Sequence, residues 1–198
     1  MKKQVLMLAL AITFCTTGLM AQGISGGFKA GLNFANQKFE SDGISISPDG
    51  RTGFHAGFFA TINMGTLGIQ PELIYNSVGS KFDLGSIGES VNKIDYLTIP
   101  IMVRINFAKI VNVHAGPNFG FLLSAKNEFD GDSQDIKDDL KGMDLSLGAG
   151  LGLDLPMGLT ANIRYNLGLS NIYDSPDDDD SAKNNVLQLS VGYKLFGK

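Results

Sequence analysis

The chain has 198 residues, a formal net charge of −4 at pH 7 and only 18% charged residues. This length suits one domain or one barrel, and the mildly acidic balance argues against a nucleic-acid partner. Glycine is abundant, at 25 residues, and tryptophan is absent. We therefore interpret the chain as one structural unit whose partners are not nucleic acids.

The N-terminus has the pattern of a secretory signal peptide. Lys2 and Lys3 form a basic start, an apolar run follows from Val5 to Met20, and Ala21 is placed for cleavage. The sequence predicts a signal peptide at residues 1–21 and a barrel domain at 22–198. Cys15 lies within that signal, so the mature chain contains no cysteine and can form no disulfide.

After residue 22 the apolar residues recur with a period of two, which is the period of a β-strand. In the first segment Phe28, Ala30, Leu32 and Phe34 share one face. The same alternation predicts eight strands, at residues 26–35, 53–64, 67–75, 96–107, 111–123, 143–155, 159–169 and 187–195.

The connections between these strands alternate in length. Short turns fall at Gly65–Thr66, Ala108–Ile110 and Pro156–Gly158. Long polar loops are expected at residues 38–52, 79–93, 124–141 and 170–185. An even number of strands with short turns at one end and long loops at the other is typical of an outer-membrane barrel. The predicted fold is an all-β, eight-stranded, antiparallel, up-and-down transmembrane β-barrel in the cell outer membrane.

The distribution of charge over the two faces decides which face points outward. No residue on the apolar faces is charged. The opposite faces carry nine ionisable side chains: Lys29, His55, Glu72, Arg104, His114, Asp144, Asp154, Arg164 and Lys194. In a transmembrane barrel the apolar face meets lipid and the polar face lines the lumen, whereas a soluble, lipocalin-like barrel has the reverse arrangement. The sparsely charged, glycine-rich second face favours the membrane arrangement, and eight strands predict a lumen filled by side chains.

Several motifs carry a resemblance to a known family. They are "KAGLNF" (29–34), "QPELIY" (70–75), "YLTIPIMVRINF" (96–107), "AGPNFGFLLSAK" (115–126) and "LQLSVGYKL" (187–195). Together they make the mature chain similar to the PorT-like outer-membrane β-barrel family of the Bacteroidota. The resemblance implies an outer-membrane barrel. The role of the family's named member in gliding and type IX secretion is not transferred, because the motifs are structural.

Five charged residues are expected in the periplasmic half of the lumen. They are Glu72, Arg104, Asp154, Arg164 and Lys194. Unpaired charges in a narrow lumen are costly, so we predict that they pair and form a plug of salt bridges. Their expected role is structural, with transport as the alternative.

The two histidines are expected at opposite ends of the lumen, too far apart to share a metal. His55 is placed near the extracellular rim, where it could serve a lipid-acting enzyme, and His114 near the periplasmic end. Structural lumen histidines are the simpler interpretation. No catalytic, cofactor-binding or metal-binding residue is assigned.

Two further features concern the backbone. Gly148, Gly150 and Gly152 follow a G-x-G-x-G spacing without a following helix, so they predict space in the lumen and not a nucleotide-binding loop. Pro100 and Pro117 lie nearly opposite each other within strands, which predicts a shared β-bulge.

The predicted loops hold all but four of the acidic residues, including "EFDGDSQDIKDD" (128–139) and "DDDD" (177–180). The first of these resembles a calcium loop only loosely, so a solvated loop and a Ca²⁺ site both stay open.

The predicted role is a structural or interaction platform with a plugged lumen and no enzymatic activity. Expected partners are outer-membrane lipid, lipopolysaccharide and proteins that contact the extracellular loops, and the barrel is expected to be a monomer without a cofactor. The alternatives are a narrow porin-like channel for small solutes or ions and, less favoured, a rim enzyme that acts on lipid.

Overall fold

A computed structural model describes residues 23–41, 44–46, 49–83, 88–107, 110–129, 132–173 and 181–197. The proposed signal peptide and the "DDDD" segment lie outside these residues. The described part is almost entirely β-structure, with two short 3₁₀ turns at Lys137–Asp139 and Pro156–Gly158. The strands are β1 (Ile24–Ser41), β2 (Ile44–Ile46), β3 (Asp49–Met64), β4 (Leu67–Asp83), β5 (Glu89–Phe107), β6 (Val111–Phe129), β7 (Asp132–Asp135), β8 (Met143–Asp154), β9 (Leu159–Gly168) and β10 (Ser181–Phe196).

Eight of these strands form a closed antiparallel ring. The hydrogen-bonded order is β10, β9, β8, β6, β5, β4, β3 and β1, and β10 pairs again with β1, for example at Leu32 and Leu189. Closure removes the free strand edges that an open sheet would expose. The two small strands are additions at one end, where β2 pairs with β1 and β7 pairs with β6. The predicted eight-stranded up-and-down barrel is confirmed.

No helix in the part of the chain that the structure describes is long and apolar enough to cross a membrane.

One end of the barrel carries the short turns and both ends of the described chain. Gly65 and Thr66 form a turn in which Gly65 has a left-handed φ of 74°. Between β5 and β6, the amide of Ile110 donates to the carbonyl of Phe107 over 3.2 Å. Pro156–Gly158 connects β8 to β9. Outer-membrane barrels place short turns on the periplasmic side, so we call this end the periplasmic end and the opposite one the extracellular end.

The opposite, extracellular end differs from the prediction. Residues 38–52, 79–93 and 124–141 were expected to be loops, but β1, β3, β4, β5 and β6 all continue into them. β10 likewise begins at Ser181, inside the fourth predicted loop. The prediction failed because the outward positions of these extensions are polar, as at Lys81 and Lys93, so the apolar alternation that marks the membrane strands is absent. Composition alone therefore resembled that of loops.

Within the membrane band the two faces have the predicted sidedness. Outward side chains are apolar and exposed, as with Phe58 at 64% and Val103 at 53% of their maximal exposure. Inward side chains are polar and buried, as with Asn33, His55 and Arg104, all at 4% or less. An exterior that is apolar and an interior that is polar is the arrangement of a barrel in lipid.

The bulge predicted at the prolines is wrong. Pro100 pairs with Asn118, and Val103 pairs with Ala115 in the same register, so no residue is inserted between them. The ladder is interrupted around Pro117 because proline has no amide hydrogen to donate. The register shift in this strand pair lies instead between Asp95 and Tyr96, toward the extracellular end.

Candidate functional site: the barrel lumen

Glu72 of β4 is the central anion of the lumen. Its Oε2 accepts from Lys29 Nζ over 2.5 Å and from Arg164 Nη1 over 3.0 Å, while its Oε1 accepts from Arg164 Nη2 over 2.7 Å. The arginine therefore binds the carboxylate through two parallel hydrogen bonds, the strong form of this pair. The Glu72 side chain is fully buried, and those of Lys29 and Arg164 are nearly so.

A second ion group lies at the periplasmic end of the lumen. Asp154 Oδ2 accepts from Arg104 Nη2 over 2.6 Å, and Asp154 Oδ1 lies 3.2 Å from Lys194 Nζ. Gln70 joins the two groups, because its Oε1 accepts from Arg104 Nη1 and its Nε2 donates to Glu72 Oε1 over 2.6 Å. We call Lys29, Gln70, Glu72, Arg104, Asp154, Arg164 and Lys194 the lumen ion network.

The structure brings the five charged residues proposed from the sequence into this one network. Glu72 contacts Arg164, and Asp154 contacts both Arg104 and Lys194. Sequence reasoning left out Lys29 and Gln70. Lys29 could have been found, since it is an inward cation near the periplasmic start of β1. Gln70 could not be predicted as a member, because the sequence does not distinguish an uncharged amide from the other polar residues that face the lumen.

His114 is attached to the network as a neutral ring. Arg164 Nε donates to His114 Nε2 over 3.2 Å, and an arginine nitrogen can only donate. His114 Nε2 is therefore an acceptor, and its proton resides on Nδ1, which lies 3.0 Å from Asn112 Oδ1. The predicted position of His114 in the periplasmic half agrees with its place near the start of β6.

The predicted position of His55 is wrong. Because β3 begins at Asp49 and not near residue 53, His55 lies near the middle of the strand and is buried within the lumen. Its Nδ1 is 2.8 Å from Asn33 Oδ1, and its Nε2 is 2.8 Å from Ser190 Oγ. This hydrogen-bond order is that of a serine–histidine–asparagine relay. All three side chains are at least nine-tenths buried, so a lipid outside the barrel does not reach the hydroxyl.

Amide and hydroxyl side chains fill the lumen on the extracellular side of the lumen ion network. Asn33 Nδ2 donates to Asn76 Oδ1, and Gln188 Nε2 donates to both Asn33 Oδ1 and Asn76 Oδ1. A cavity of about 50 Å³ lies in this layer, bordered by Asn118 and Asp144 among others. Ligand pockets usually measure about 300–1,000 Å³, so this cavity is too small for a drug-sized ligand.

The three glycines of β8 provide room for this packing. A Cβ at Gly148 would lie 2.7 Å from Asn166 Oδ1, and one at Gly150 would lie 2.3 Å from the carbonyl oxygen of Ile163. A Cβ at Gly152 would lie 2.5 Å from Asn112 Nδ2. The glycines therefore leave room for side chains and backbone of the neighbouring strands β6 and β9, as predicted from their spacing.

An apolar cluster seals the extracellular end of the lumen. Leu140 and Ile172 come from the segments that follow β7 and β9, and both side chains are buried. The amide of Ile172 donates to the carbonyl of Ala182 over 2.9 Å, and Leu140 forms an isolated bridge with Tyr173. Burial, together with the Asp139 carboxylate, raises the pKa of the Tyr173 hydroxyl. We call this the extracellular core: Ala35, Val78, Ile94, Tyr96, Leu122, Ala125, Leu140, Ile172, Ala182 and Val186.

No cluster of metal-ligating side chains occurs among the described residues. In the described part of the segment considered as a calcium loop, β7 pairs with the end of β6 at Lys126–Asp135 and Phe129–Asp132. Asp135 Oδ1 accepts from the amide of Lys137 over 2.9 Å, which is a turn contact. Residues 130 and 131 lie outside the described part of this segment.

The comparisons with known proteins agree with this architecture. The outer membrane protein beta-barrel domain family matches residues 20–174, which is most of the chain. The protein belongs to this family. Membership of this family, together with the apolar outer surface, places the barrel in the outer membrane. No curated protein is similar enough in sequence to count as a relative.

Solved outer-membrane barrels share the fold at low sequence identity. The attachment invasion locus protein Ail of Yersinia pestis has a TM-score of 0.54 and 20% identity, over 86% of this chain and 98% of Ail. Neisserial surface protein A has a TM-score of 0.52 and 13% identity, over 87% of this chain and 97% of that protein. A second structure of Ail, in complex with the heparin analogue sucrose octasulfate, has a TM-score of 0.50 and 17% identity, over 87% of this chain and 99% of Ail.

Proposed function

We propose that this outer-membrane barrel is a closed, non-enzymatic platform that presents its extracellular end to partners and conducts no solute. The observation that carries the proposal is the lumen ion network, which crosses the lumen from β1 and β4 to β9 and from β5 to β8 and β10. An open aqueous pore needs a continuous path, whereas here cations and carboxylates occupy the centre of the lumen in direct contact.

The extracellular end supports the platform part of the proposal. Strands that continue beyond the membrane band around a packed core form a rigid base for the connections between them. Lipopolysaccharide and proteins that contact these connections are the proposed partners, and a monomer is the proposed state. The PorT-like motifs in β1, β4, β5, β6 and β10 support a place among the PorT-like barrels of the Bacteroidota.

Single-channel recording in planar bilayers tests the closed lumen. The wild-type barrel should show no conductance steps. Arg104→Ala removes a side chain that joins Gln70 to Asp154, so it should open a leak at the periplasmic end. Lys81→Ala is the control, because Lys81 pairs with Glu89 on the exterior, where both side chains are about half exposed.

Steady conductance in the wild type would contradict the platform and favour the narrow channel. If Arg104→Ala and Lys81→Ala conduct equally little while both barrels fold, the network does not close the lumen.

We also propose that residues 1–21 are a signal peptide removed on export, supported by the basic start and apolar run described above. Intact mass measurement of the protein purified from outer membranes should give a chain that begins at Gln22. A chain that still carries Met1 would contradict this cleavage.

A further inference from the structure

Four buried polar groups in the lumen have no hydrogen-bond partner among the described residues. They are Ser25 Oγ, Arg104 Nε, Asn112 Nδ2 and Thr160 Oγ1. Each of these side chains belongs to a residue that is at least nine-tenths buried. A buried donor without a partner costs about 1–3 kcal/mol, so native structures rarely keep several of them.

These four groups lie at one end of the barrel. Ser25, Asn112 and Thr160 are each the second residue of a strand that starts at the periplasmic end. Arg104 lies close to the periplasmic end of β5 and binds Asp154, the last residue of β8.

The strand register groups three of the four on neighbouring strands. Thr160 pairs directly with Asp154, and Asn112 pairs with Gly152, whose inner face its amide covers. In the β5–β6 ladder Arg104 pairs with His114, and Asn112 is the next inward residue of β6 toward the periplasmic end. Arg104 also binds Asp154 on β8, which is the register partner of Thr160 on β9. We call Ser25, Arg104, Asn112, Asp154, Thr160 and Lys194 the periplasmic layer.

The lumen ion network, to which Arg104, Asp154 and Lys194 of this layer belong, has unbalanced charge. The lumen ion network contains four cationic side chains, from Lys29, Arg104, Arg164 and Lys194, against two carboxylates, from Glu72 and Asp154. Asp144, the remaining inward carboxylate of the membrane band, binds Asn184 and Ser170 toward the other end of the lumen. An excess of positive charge surrounded by lipid is unfavourable unless a counter-ion accompanies it.

From the unpartnered donors and the excess positive charge, we propose that the periplasmic layer is a binding site for a small inorganic anion such as chloride. The anion accepts from Arg104 Nε–H and the Asn112 and Thr160 side chains. Lys194 shares the single carboxylate of Asp154 with Arg104, so this pair of cations supplies the excess positive charge. Access is from the periplasm, because the Lys194 and Asp154 side chains are 15% and 18% exposed, unlike the sealed Glu72 group. This site is independent of whether the lumen conducts.

Bromide, a heavier substitute for chloride, tests the site directly. Crystals of the full mature barrel soaked in sodium bromide should give an anomalous peak within hydrogen-bonding distance of Arg104 Nε. The peak should be lost in Lys194→Gln. It should persist in Lys93→Gln, which removes the same charge from the exterior, where Lys93 pairs with Glu128. Absence of the peak in the wild type would overturn the proposal, as would its survival unchanged in Lys194→Gln.

Thermal unfolding in detergent provides a second measurement that does not depend on crystals. At equal ionic strength, the wild-type barrel should unfold at a higher temperature in sodium chloride than in sodium gluconate, whose anion is too large to enter. Thr160→Val should remove most of this difference. If Thr160→Val instead stabilises the barrel equally in both salts, the Thr160 hydroxyl is a buried donor without a hydrogen-bond partner and binds no anion. That result would contradict the proposal.

Discussion

In the membrane band, the inward residues are Lys29, Glu72 and Arg164, and the outward residues are apolar and exposed, such as Phe58. Toward the extracellular end of the same sheet, the inward residues become Ala35, Val78 and Ile94. The outward residues there include Lys81 and Lys93, which form half-exposed ion pairs. One continuous sheet thus has an interior of ion pairs in one half and an apolar core in the other.

The surrounding solvent explains the reversal. In lipid, burying an apolar side chain inside the barrel gains little, because its alternative environment is equally apolar, while ion pairs and hydrogen bonds in the lumen avoid exposure of charge to hydrocarbon. In water the hydrophobic effect favours an apolar interior and a charged exterior. The membrane half is therefore stabilised by specific polar contacts, and the extracellular half by burial.

The largest expected effect comes from breaking the lumen ion network at its centre. Glu72→Gln keeps the shape of the side chain but leaves Lys29 and Arg164 buried without a counter-charge. We expect a loss of about 3–5 kcal/mol in the free energy of unfolding, the usual cost of removing one partner of a buried pair. Urea titration of the barrel in lipid vesicles, followed by circular dichroism, measures this loss.

Glu89→Gln is the matched control, because its partner Lys81 remains in contact with water. The expected loss is within about 1 kcal/mol, as for other exposed ion pairs. Equal losses for the two variants would mean that the interior of the membrane half does not differ from the extracellular surface, which would remove the basis of the comparison.

A smaller and local effect is expected from the extracellular core. Ile172→Ala leaves a cavity among the apolar side chains and should cost about 2–4 kcal/mol in the opening of this end. Hydrogen exchange should quicken in the extracellular parts of β5 and β6 and stay unchanged near the periplasmic turns. The variant should also remain non-conducting, because the lumen ion network is intact.

Met157→Ala is the control for this change, since Met157 is 82% exposed in the β8–β9 turn. Its exchange pattern should match that of the wild type. If Ile172→Ala instead quickened exchange throughout the barrel, the two halves would unfold as one unit and the local role of the extracellular core would be disproved.

The period of two and the placement of charge were enough to predict the ring of strands, its sidedness and the inward direction of Glu72, Arg104, Asp154, Arg164 and Lys194. These are properties of single strands. The partner of each charge depends on how eight strands are staggered around the barrel, so the pairing of Glu72 with both Lys29 and Arg164 could not be read from the chain.

The extracellular half was missed for a different reason. The rule that outward residues are apolar applies only where lipid surrounds the barrel, and residues such as Ile94 and Ala125 lie beyond that boundary. Leu140 and Ile172 gave still less signal, because single apolar residues in irregular segments form no period. The wrong position of His55 followed from the same error, since the strand was taken to end where the lipid pattern ends.

The smallest expected effect comes from a comparison of an inward and an outward position on β8. Gly150→Ala places a Cβ 2.3 Å from the carbonyl oxygen of Ile163 and 2.8 Å from His114 Nε2, so β8 or β9 must shift. We expect a loss of about 1–2 kcal/mol in the free energy of unfolding.

Ala149→Leu, on the adjacent outward position, adds more atoms but places them in lipid, and its unfolding should match that of the wild type. Because the lumen is packed to the backbone while the exterior is bounded only by lipid chains, the smaller substitution should be the more harmful. A greater loss for Ala149→Leu would show that the exterior of β8, and not the lumen, is closely packed.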